Sequence, residues 1–313
     1  MSEAVDSVER SIHVYKLDST LGFDEIEKVV NYIETVRNST PSDVLLDVGE
    51  KTRFLFLSAS GPGTLSGTKF VWLKFGWARR SGLPEAIDAR TGRVEVLRLG
   101  SDVYLFEPSH FLLFRHGKDI LMLYEYNAFA PRPLRLCQYI EEFYRRMKGD
   151  PNVKVRVSAR RLLARNVEEV LKQFNVVRSL RIELEADAYK NLAEALHKSE
   201  EVFRLVFETF SPKYVAITWR SPPRGRLEVS PSDVIEMFRR LEPGLRSIVV
   251  TVKKGVRGRS VKIDLKKCFL IFKKHVKLAR DSEGNVLRTT DTQDAVDVLK
   301  SLVGEVVASL GGS

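Results

Sequence analysis

The chain has 313 residues, of which 43% are hydrophobic and 29% are charged, so it can form one large or two ordinary globular domains. Its 51 Lys and Arg residues against 41 Asp and Glu residues give a formal net charge of +10 and a pI near 9.5, which favours an anionic partner. No apolar run approaches the roughly 18 residues of a membrane span, and the polar opening MSEAVDSVERS does not resemble a signal peptide. We therefore expect a cytoplasmic protein that does not associate with membranes, and the abundance of Arg, Lys, Glu and Val with few Cys, Met and Gln is typical of a thermophile.

The first half of the chain carries mainly strand patterns. Residues Ser11 to Leu17 alternate as a strand does, and Phe23 to Arg37 has apolar residues at helical spacing. From Thr52 to Asn127 the period is two, in short β-branched or aromatic runs that are separated by turn residues. This pattern predicts a mainly antiparallel β-sheet or open barrel with one packed face.

A glycine-rich run, SASGPGTLSGTK, occupies Ser58 to Lys69. A phosphate-binding loop of the G-x-x-x-x-G-K-[ST] type would lie between a strand and a helix, and Lys would directly follow its last glycine. Here Thr68 separates Gly67 from Lys69, and a strand pattern follows. The run is therefore interpreted as a flexible hairpin loop.

A helix is predicted from Leu134 to Met147, and the sequence GDPN at Gly149 to Asn152 then provides the clearest linker in the chain. We place the domain boundary there. The prediction is a β-rich domain over residues 1–148 and a basic α/β domain over residues 149–313.

In the second half, strand patterns alternate with helical patterns of ten or more residues. This order predicts an α/β layer with split βαβ or ferredoxin-like topology, so the whole chain is assigned to the α+β class. A helix is expected to begin at Ser230, where a capping serine precedes a proline. The final helix carries an apolar stripe that we expect to dock on its own domain: Val296, Leu299, Val303, Val306 and Leu310.

The stretch from Ser247 to Leu278, here called the basic ribbon, concentrates positive charge on a strand pattern. Between residues 253 and 280 there are eleven cations against the single acid Asp264. The cations are Lys253, Lys254, Arg257, Arg259, Lys262, Lys266, Lys267, Lys273, Lys274, Lys277 and Arg280. Because Lys262 alternates with Val261 and Ile263, the ribbon is expected to display its cations on a wet face and to bind a polyanion.

A second basic cluster has eight cations against Asp150 alone. Its members are Arg145, Arg146, Lys148, Lys154, Arg156, Arg160, Arg161 and Arg165. Of these, Arg156, Arg160 and Arg161 are assigned to nucleic-acid binding, together with the ribbon cations from Lys253 to Lys277. Four aromatic residues near the two clusters could stack on bases: Tyr214, Trp219, Phe269 and Phe272.

Signatures of catalysis are incomplete. His116 and Lys118 begin the H-x-K-x-x-x-x-D pattern of phosphodiesterases, but Leu123 occupies the position of the aspartate. Restriction-type nuclease chemistry needs an acid-x-lysine pair, whereas Glu50 and Lys51 are adjacent. His110 and His116 lack nearby metal ligands. No metal or other cofactor is therefore expected.

The layout of the chain resembles prokaryotic antiviral-defence accessory proteins, namely abortive-infection proteins and partners of short prokaryotic Argonautes. The resemblance lies in the β-rich first half, the basic second half, and the runs DVYLFEPSHFLLFRHGKDILMLYEYNAFAPR and GVRGRSVKIDLKKCFLIF. It transfers no functional residue. It implies a non-catalytic subunit that holds nucleic acid beside a protein partner.

Three functions remain open from the sequence. The leading hypothesis is a non-enzymatic accessory subunit that binds DNA or RNA without sequence preference, through the phosphate backbone. The alternatives are a metal-dependent nuclease or phosphodiesterase whose acids are distant in sequence, and a protein-interaction scaffold whose basic face binds an acidic partner.

Overall fold

Fifteen strands and four α-helices are present in the part of the chain that the structure describes. The structure is a computed structural model, and it describes residues 6–49, 52–80, 85–87, 94–96, 103–163, 171–185, 214–222, 225–241, 245–254 and 260–310. The strands are β1 (Ser7–Ser19), β2 (Leu46–Asp47), β3 (Arg53–Leu65), β4 (Thr68–Arg79), β5 (Glu85–Ile87), β6 (Val94–Val96), β7 (Leu105–His116), β8 (Asp119–Glu125), β9 (Val157–Arg161), β10 (Val176–Glu185), β11 (Tyr214–Arg220), β12 (Leu245–Lys253), β13 (Ser260–Asp264), β14 (Ile271–Arg280) and β15 (Val286–Thr290). The helices are α1 (Phe23–Ser39), α2 (Pro133–Lys148), α3 (Pro231–Leu241) and α4 (Thr292–Leu310).

The predicted α+β class is confirmed. The predicted helices beginning near Phe23, Leu134 and Ser230 are α1, α2 and α3. The fixed φ of Pro133 suits the start of α2, and Gly149, at φ 66°, ends it in the left-handed conformation. Two predicted helices, at residues 165–174 and 188–210, lie wholly or mostly outside the described residues.

The chain forms two compact units, and their bounds differ from the predicted domains 1–148 and 149–313. The first unit comprises Met1–Ala159 and Ile271–Val307, and the second comprises Arg160–Leu270 and Ala308–Ser313. The difference arises because β14 pairs antiparallel with β1 through seven residue pairs, from Ser7↔Lys277 to His13↔Ile271. Pairing between residues so distant in sequence leaves no local signal.

The first unit is built on an open antiparallel sheet in the order β15-β14-β1-β8-β7-β4-β3-β2, with β9 also paired to β1. Helices α1 and α2 pack on one face, where their apolar stripes join Leu73, Phe75 and Phe111 in one core. Helix α4 covers the opposite face, since its Lys300 lies over the ring of Phe70. Along β4, Phe70 points to the face opposite that of Leu73 and Phe75. The apolar stripe of α4 therefore docks within the chain, but on the sheet of the first half.

The glycine-rich run is not a loop, which corrects the expectation of a flexible hairpin. It continues β3 as far as Leu65, and the turn to β4 is confined to Ser66 and Gly67. Gly61 and Gly63 are paired with Trp72 and Phe70, whose rings lie where a Cβ would project. Glycine is required here for close aromatic packing across the hairpin.

The second unit contains a four-stranded antiparallel sheet in the order β11-β10-β12-β13. Because β10 lies antiparallel between β11 and β12, those two strands are parallel to each other, and α3 connects them. This arrangement is the predicted split βαβ unit. One face packs on α3, with Leu180, Ile182, Val250 and Phe238 in the core.

Buried polar residues join α4 to the sheet of the first unit. Nδ1 of His110 donates to Glu125 over 2.7 Å, and the hydroxyl of Thr290 donates to the same carboxylate over 2.9 Å. Nε2 of His110 lies 3.3 Å from Oγ1 of Thr292, at the start of α4, and Nε of Arg10 lies 3.3 Å from Glu125. His110 and Glu125 are 0% and 2% exposed, so this group, here called the buried polar cluster, is inaccessible to a ligand.

The buried polar cluster keeps Glu125 ionised. Burial raises the pKa of this carboxyl, but hydrogen bonds from His110 and Thr290, with the charges of His110 and Arg10, outweigh burial, and the net shift is downward from 4.5. A lowered pKa means that the folded state prefers the carboxylate. The resulting stabilisation is complete above the ordinary pKa and is lost as the pH falls below it.

We predict that Glu125→Gln lowers the free energy of unfolding by roughly 3 kcal/mol at pH 7, because it leaves the partly buried charge of Arg10 without its counter-charge. Urea denaturation at pH 7 and at pH values below 4.5 measures this difference. The gap between the parent and the variant should narrow in acid, where the parent loses the carboxylate. Glu305→Gln, which removes the partner of Lys274 on the surface, serves as the control and should cost less than about 1 kcal/mol. Equal losses for the two variants would contradict the account.

Limited proteolysis tests the pairing of β14 with β1. Gly149 to Asn152 are all exposed, and we expect cleavage there. The two fragments should remain associated in size-exclusion chromatography, since the seven residue pairs between β1 and β14 join them. Separation of the fragments without denaturant would show that the chain instead divides at this linker.

Candidate nucleic-acid interface

The basic ribbon is divided between two sheets. Lys253 ends β12 and Lys262 lies on β13, both in the second unit, whereas Lys273, Lys274 and Lys277 lie on β14 in the first. Lys254 is exposed just after β12, and Lys266 and Lys267 lie in the 3-10 helix Leu265–Cys268. Arg257 and Arg259 lie outside the described residues. The ribbon is continuous in sequence but does not form one surface of one sheet.

The cations of β14 have acidic partners. Lys273 Nζ lies 2.9 Å from Glu9, and Lys274 Nζ lies 3.1 Å from Glu305 on α4. Arg280 pairs with Asp6. The hydrogen bond and charge of Lys273 lower the pKa of Glu9. These pairs reduce the positive field that β14 presents to a polyanion.

The second basic cluster is also divided. Arg145 and Arg146 pair with Glu141 and Glu142 along α2. Lys154 and Arg156 are exposed and line a shallow depression together with Arg145. Arg160 and Arg161 are only half-exposed, and the guanidinium of Arg161 lies 4.3 Å from the ring centroid of Phe269. Arg165 lies outside the described residues.

The sheet of the second unit has a second face, opposite α3, that carries exposed polar side chains. Alternation along β11 sends Val215, Ile217 and Trp219 towards the core and leaves their neighbours exposed. The register extends this alternation across the sheet. The residues that the pairing places on this face, here called the open face, are Tyr214, Ala216, Thr218, Arg220, Val176, Ser179, Arg181, Glu183, Glu185, Arg246, Ser247, Val249, Thr251, Lys253, Ser260, Lys262 and Asp264.

One row of the open face crosses all four strands. Arg220 pairs with Ser179, Ser179 with Thr251, and Thr251 with Lys262. The hydroxyl of Ser179 donates to Thr251 over 2.8 Å. Neighbouring strands lie about 4.8 Å apart, so the backbones in this row span roughly 14 Å, with a cation at each end and hydroxyls between.

A β-bulge places Arg246 on the open face. Glu183 pairs with Ser247 and Leu184 with Leu245, which leaves Arg246 as the extra residue. Its guanidinium carbon lies 4.7 Å from the ring centroid of Tyr214, and its Nε lies 3.4 Å from Glu183. The bulge therefore brings a guanidinium, an aromatic ring and a carboxylate together.

The charge of the open face is positive. Its residues include five cations, Arg181, Arg220, Arg246, Lys253 and Lys262, against three acids, Glu183, Glu185 and Asp264. Glu183 contacts Arg246 and also lies 3.9 Å from Arg181. Arginine and lysine on an exposed sheet are suited to bind phosphate groups.

Among the predicted binding residues whose side chains the structure describes, only Lys253 and Lys262 lie on this face. Arg181, Arg220 and Arg246 were not predicted, because none of them belongs to a dense run of cations along the chain. Of the four candidate aromatic residues, Tyr214 is 50% exposed on this face, whereas Phe269 is buried in the core. Trp219 packs against that core from the covered side, and Phe272 lies on β14 in the first unit. The alternation of YVAITWR would have indicated that Arg220 shares a face with Tyr214.

The described residues give no support to the nuclease alternative. Within them, no group of three His, Cys, Asp or Glu side chains is close enough to hold a metal ion. Asp43 and Asp47 are exposed, and Glu50 and Lys51 lie outside the described residues.

Among the described helices, none is both long and apolar enough to span a membrane.

Comparison with known proteins gives no family. No model of a protein family matches the chain, and no curated protein matches it.

Proposed function

We propose that this protein binds nucleic acid on the open face of the second unit, through the phosphate backbone and without sequence preference. The observation that carries the proposal is the set of five cations on one exposed sheet face, on which the register places three acidic residues. These cations are fixed on strands, so a phosphate backbone can bind without ordering a loop.

Neutral groups on the same face suit a phosphate ligand as well. The hydroxyls of Ser179, Thr218 and Thr251 lie between the cationic side chains, and hydroxyl groups are common donors to phosphate oxygens. No described helix projects from this face to read base edges in a groove. Contacts of this kind position a strand and carry little sequence information.

The resemblance in layout supports a biological setting for this binding. In that setting the protein is a cytoplasmic, non-catalytic accessory subunit of a prokaryotic antiviral-defence complex, and it holds nucleic acid beside a protein partner.

Charge reversal on the open face tests the proposal. We expect the triple variant Arg181→Glu, Arg220→Glu, Lys262→Glu to lose binding of short DNA and RNA oligonucleotides in fluorescence anisotropy. Where residual binding is measurable, the slope of log Kd against log salt should fall by about two to three, because up to three phosphate contacts are removed. Circular dichroism should show an unchanged fold, since all three side chains are exposed.

A matched control separates the open face from net charge. The control is a second triple variant that reverses three other exposed lysines: Lys28→Glu, Lys118→Glu, Lys172→Glu. Both triple variants lower the formal net charge of +10 by six. The control should bind nearly as the parent does. If the parent does not bind at low salt, or if the two triple variants bind equally well, the proposal is wrong.

A further inference from the structure

The aromatic ring on the open face lies against the guanidinium of Arg246 and is half-exposed. Tyr214 begins β11 and is 50% exposed, whereas the next residue, Val215, points towards the core. Exposed aromatic rings within a cationic surface are platforms on which nucleic-acid bases stack. We infer that the open face selects single-stranded nucleic acid, with one base stacked on Tyr214; the inference rests on the proposed function.

The ring is held in place by its neighbours. The guanidinium of Arg246 lies against it at 4.7 Å, and Glu183 holds Arg246 through the 3.4 Å contact with Nε. A carboxylate, a guanidinium and an aromatic ring thus form a chain of contacts across three strands. Bases stack on guanidinium planes as well as on aromatic rings, so Arg246 and Tyr214 together offer a composite platform.

Double-stranded nucleic acid cannot use the aromatic platform. In a duplex the faces of the bases are covered by their neighbours, so stacking on a side chain requires an unstacked base. The major groove of DNA, about 12 Å wide, admits a helix or a two-stranded ribbon. The row from Arg220 to Lys262 spans roughly 14 Å between backbones alone, and the whole face cannot enter the groove.

The open face also provides a path for a single strand. Tyr214 and Arg220 lie at the two ends of β11, roughly 20 Å apart at 3.4 Å per residue. Between them on the same face are only Ala216 and Thr218, whose small side chains leave room along the strand. Arg181 pairs with Thr218 on the adjacent strand, where it can contact a backbone that follows this path.

Substitution of Tyr214 separates stacking from charge. We expect Tyr214→Ala to weaken binding of a twelve-nucleotide oligothymidylate and a matching oligouridylate by roughly 5- to 100-fold, as observed when a stacking residue is lost. The dependence of log Kd on log salt should be unchanged, because no phosphate contact is removed. Tyr214→Phe keeps the ring and should bind as the parent does.

A fluorescent base gives a direct reading of stacking. An oligonucleotide that contains 2-aminopurine should lose fluorescence on binding to the parent and to Tyr214→Phe, and should lose much less on binding to Tyr214→Ala. Blunt duplexes of the same length should bind the parent at least tenfold more weakly than single strands. Comparison of the affinities for the oligothymidylate and the oligouridylate shows whether single-stranded DNA or RNA is preferred.

The outcomes distinguish this inference from the proposed function. If Tyr214→Ala binds single strands as tightly as the parent, while the triple charge reversal still abolishes binding, the stacking inference is wrong and the proposed function stands. Equal affinity of the parent for duplex and single strands would also overturn the inference. If the triple reversal has no effect, the proposed function itself fails.

Discussion

The pairing of β14 with β1 is the constraint on which the organisation of this chain depends. It returns residues from Ile271 onward to a sheet whose other strands come from the first 161 residues, and it places α4 on a face that those strands leave apolar. The buried polar cluster fixes this arrangement, because Glu125 on β8 and His110 on β7 contact Thr290 and Thr292 at the junction of β15 and α4. The intervening chain forms the second unit, in which Leu163 bridges to Phe269 and thereby joins its two ends.

This pairing also decides where positive charge is available. The basic ribbon crosses from the second unit into the first near Leu270, so its lysines belong to two different sheets. On β14 they contact Glu9 and Glu305, residues remote in sequence. On β12 and β13 they join arginines of β10 and β11 on one exposed face. A cationic surface is therefore created by strand register and not by the run of lysines along the chain.

Local patterns were sufficient for much of the fold. Period-two alternation predicted the strands of the first half, and capping residues such as Ser230 predicted where helices begin, because these features depend on neighbours a few residues away. The return of β14 to β1 and the extra residue at Arg246 depend on pairing partners far along the chain, which a single sequence does not specify. For the same reason Lys262 was found as a binding candidate, whereas Arg181 and Arg220, which share its face, were not.

The two groups of ionisable residues have different roles for a physical reason. His110 and Glu125 are sealed from solvent, so their interactions stabilise the first unit, whereas Arg220, Arg246 and Tyr214 remain exposed. Photo-crosslinking of the full chain to an oligonucleotide that contains 4-thiouridine, followed by mass spectrometry, tests most directly whether the open face is the binding surface. The account predicts crosslinked peptides from β10, β11 and β13, with Tyr214 or its neighbours among them. Crosslinks confined to β14, or to the depression lined by Arg145, Lys154 and Arg156, would contradict it.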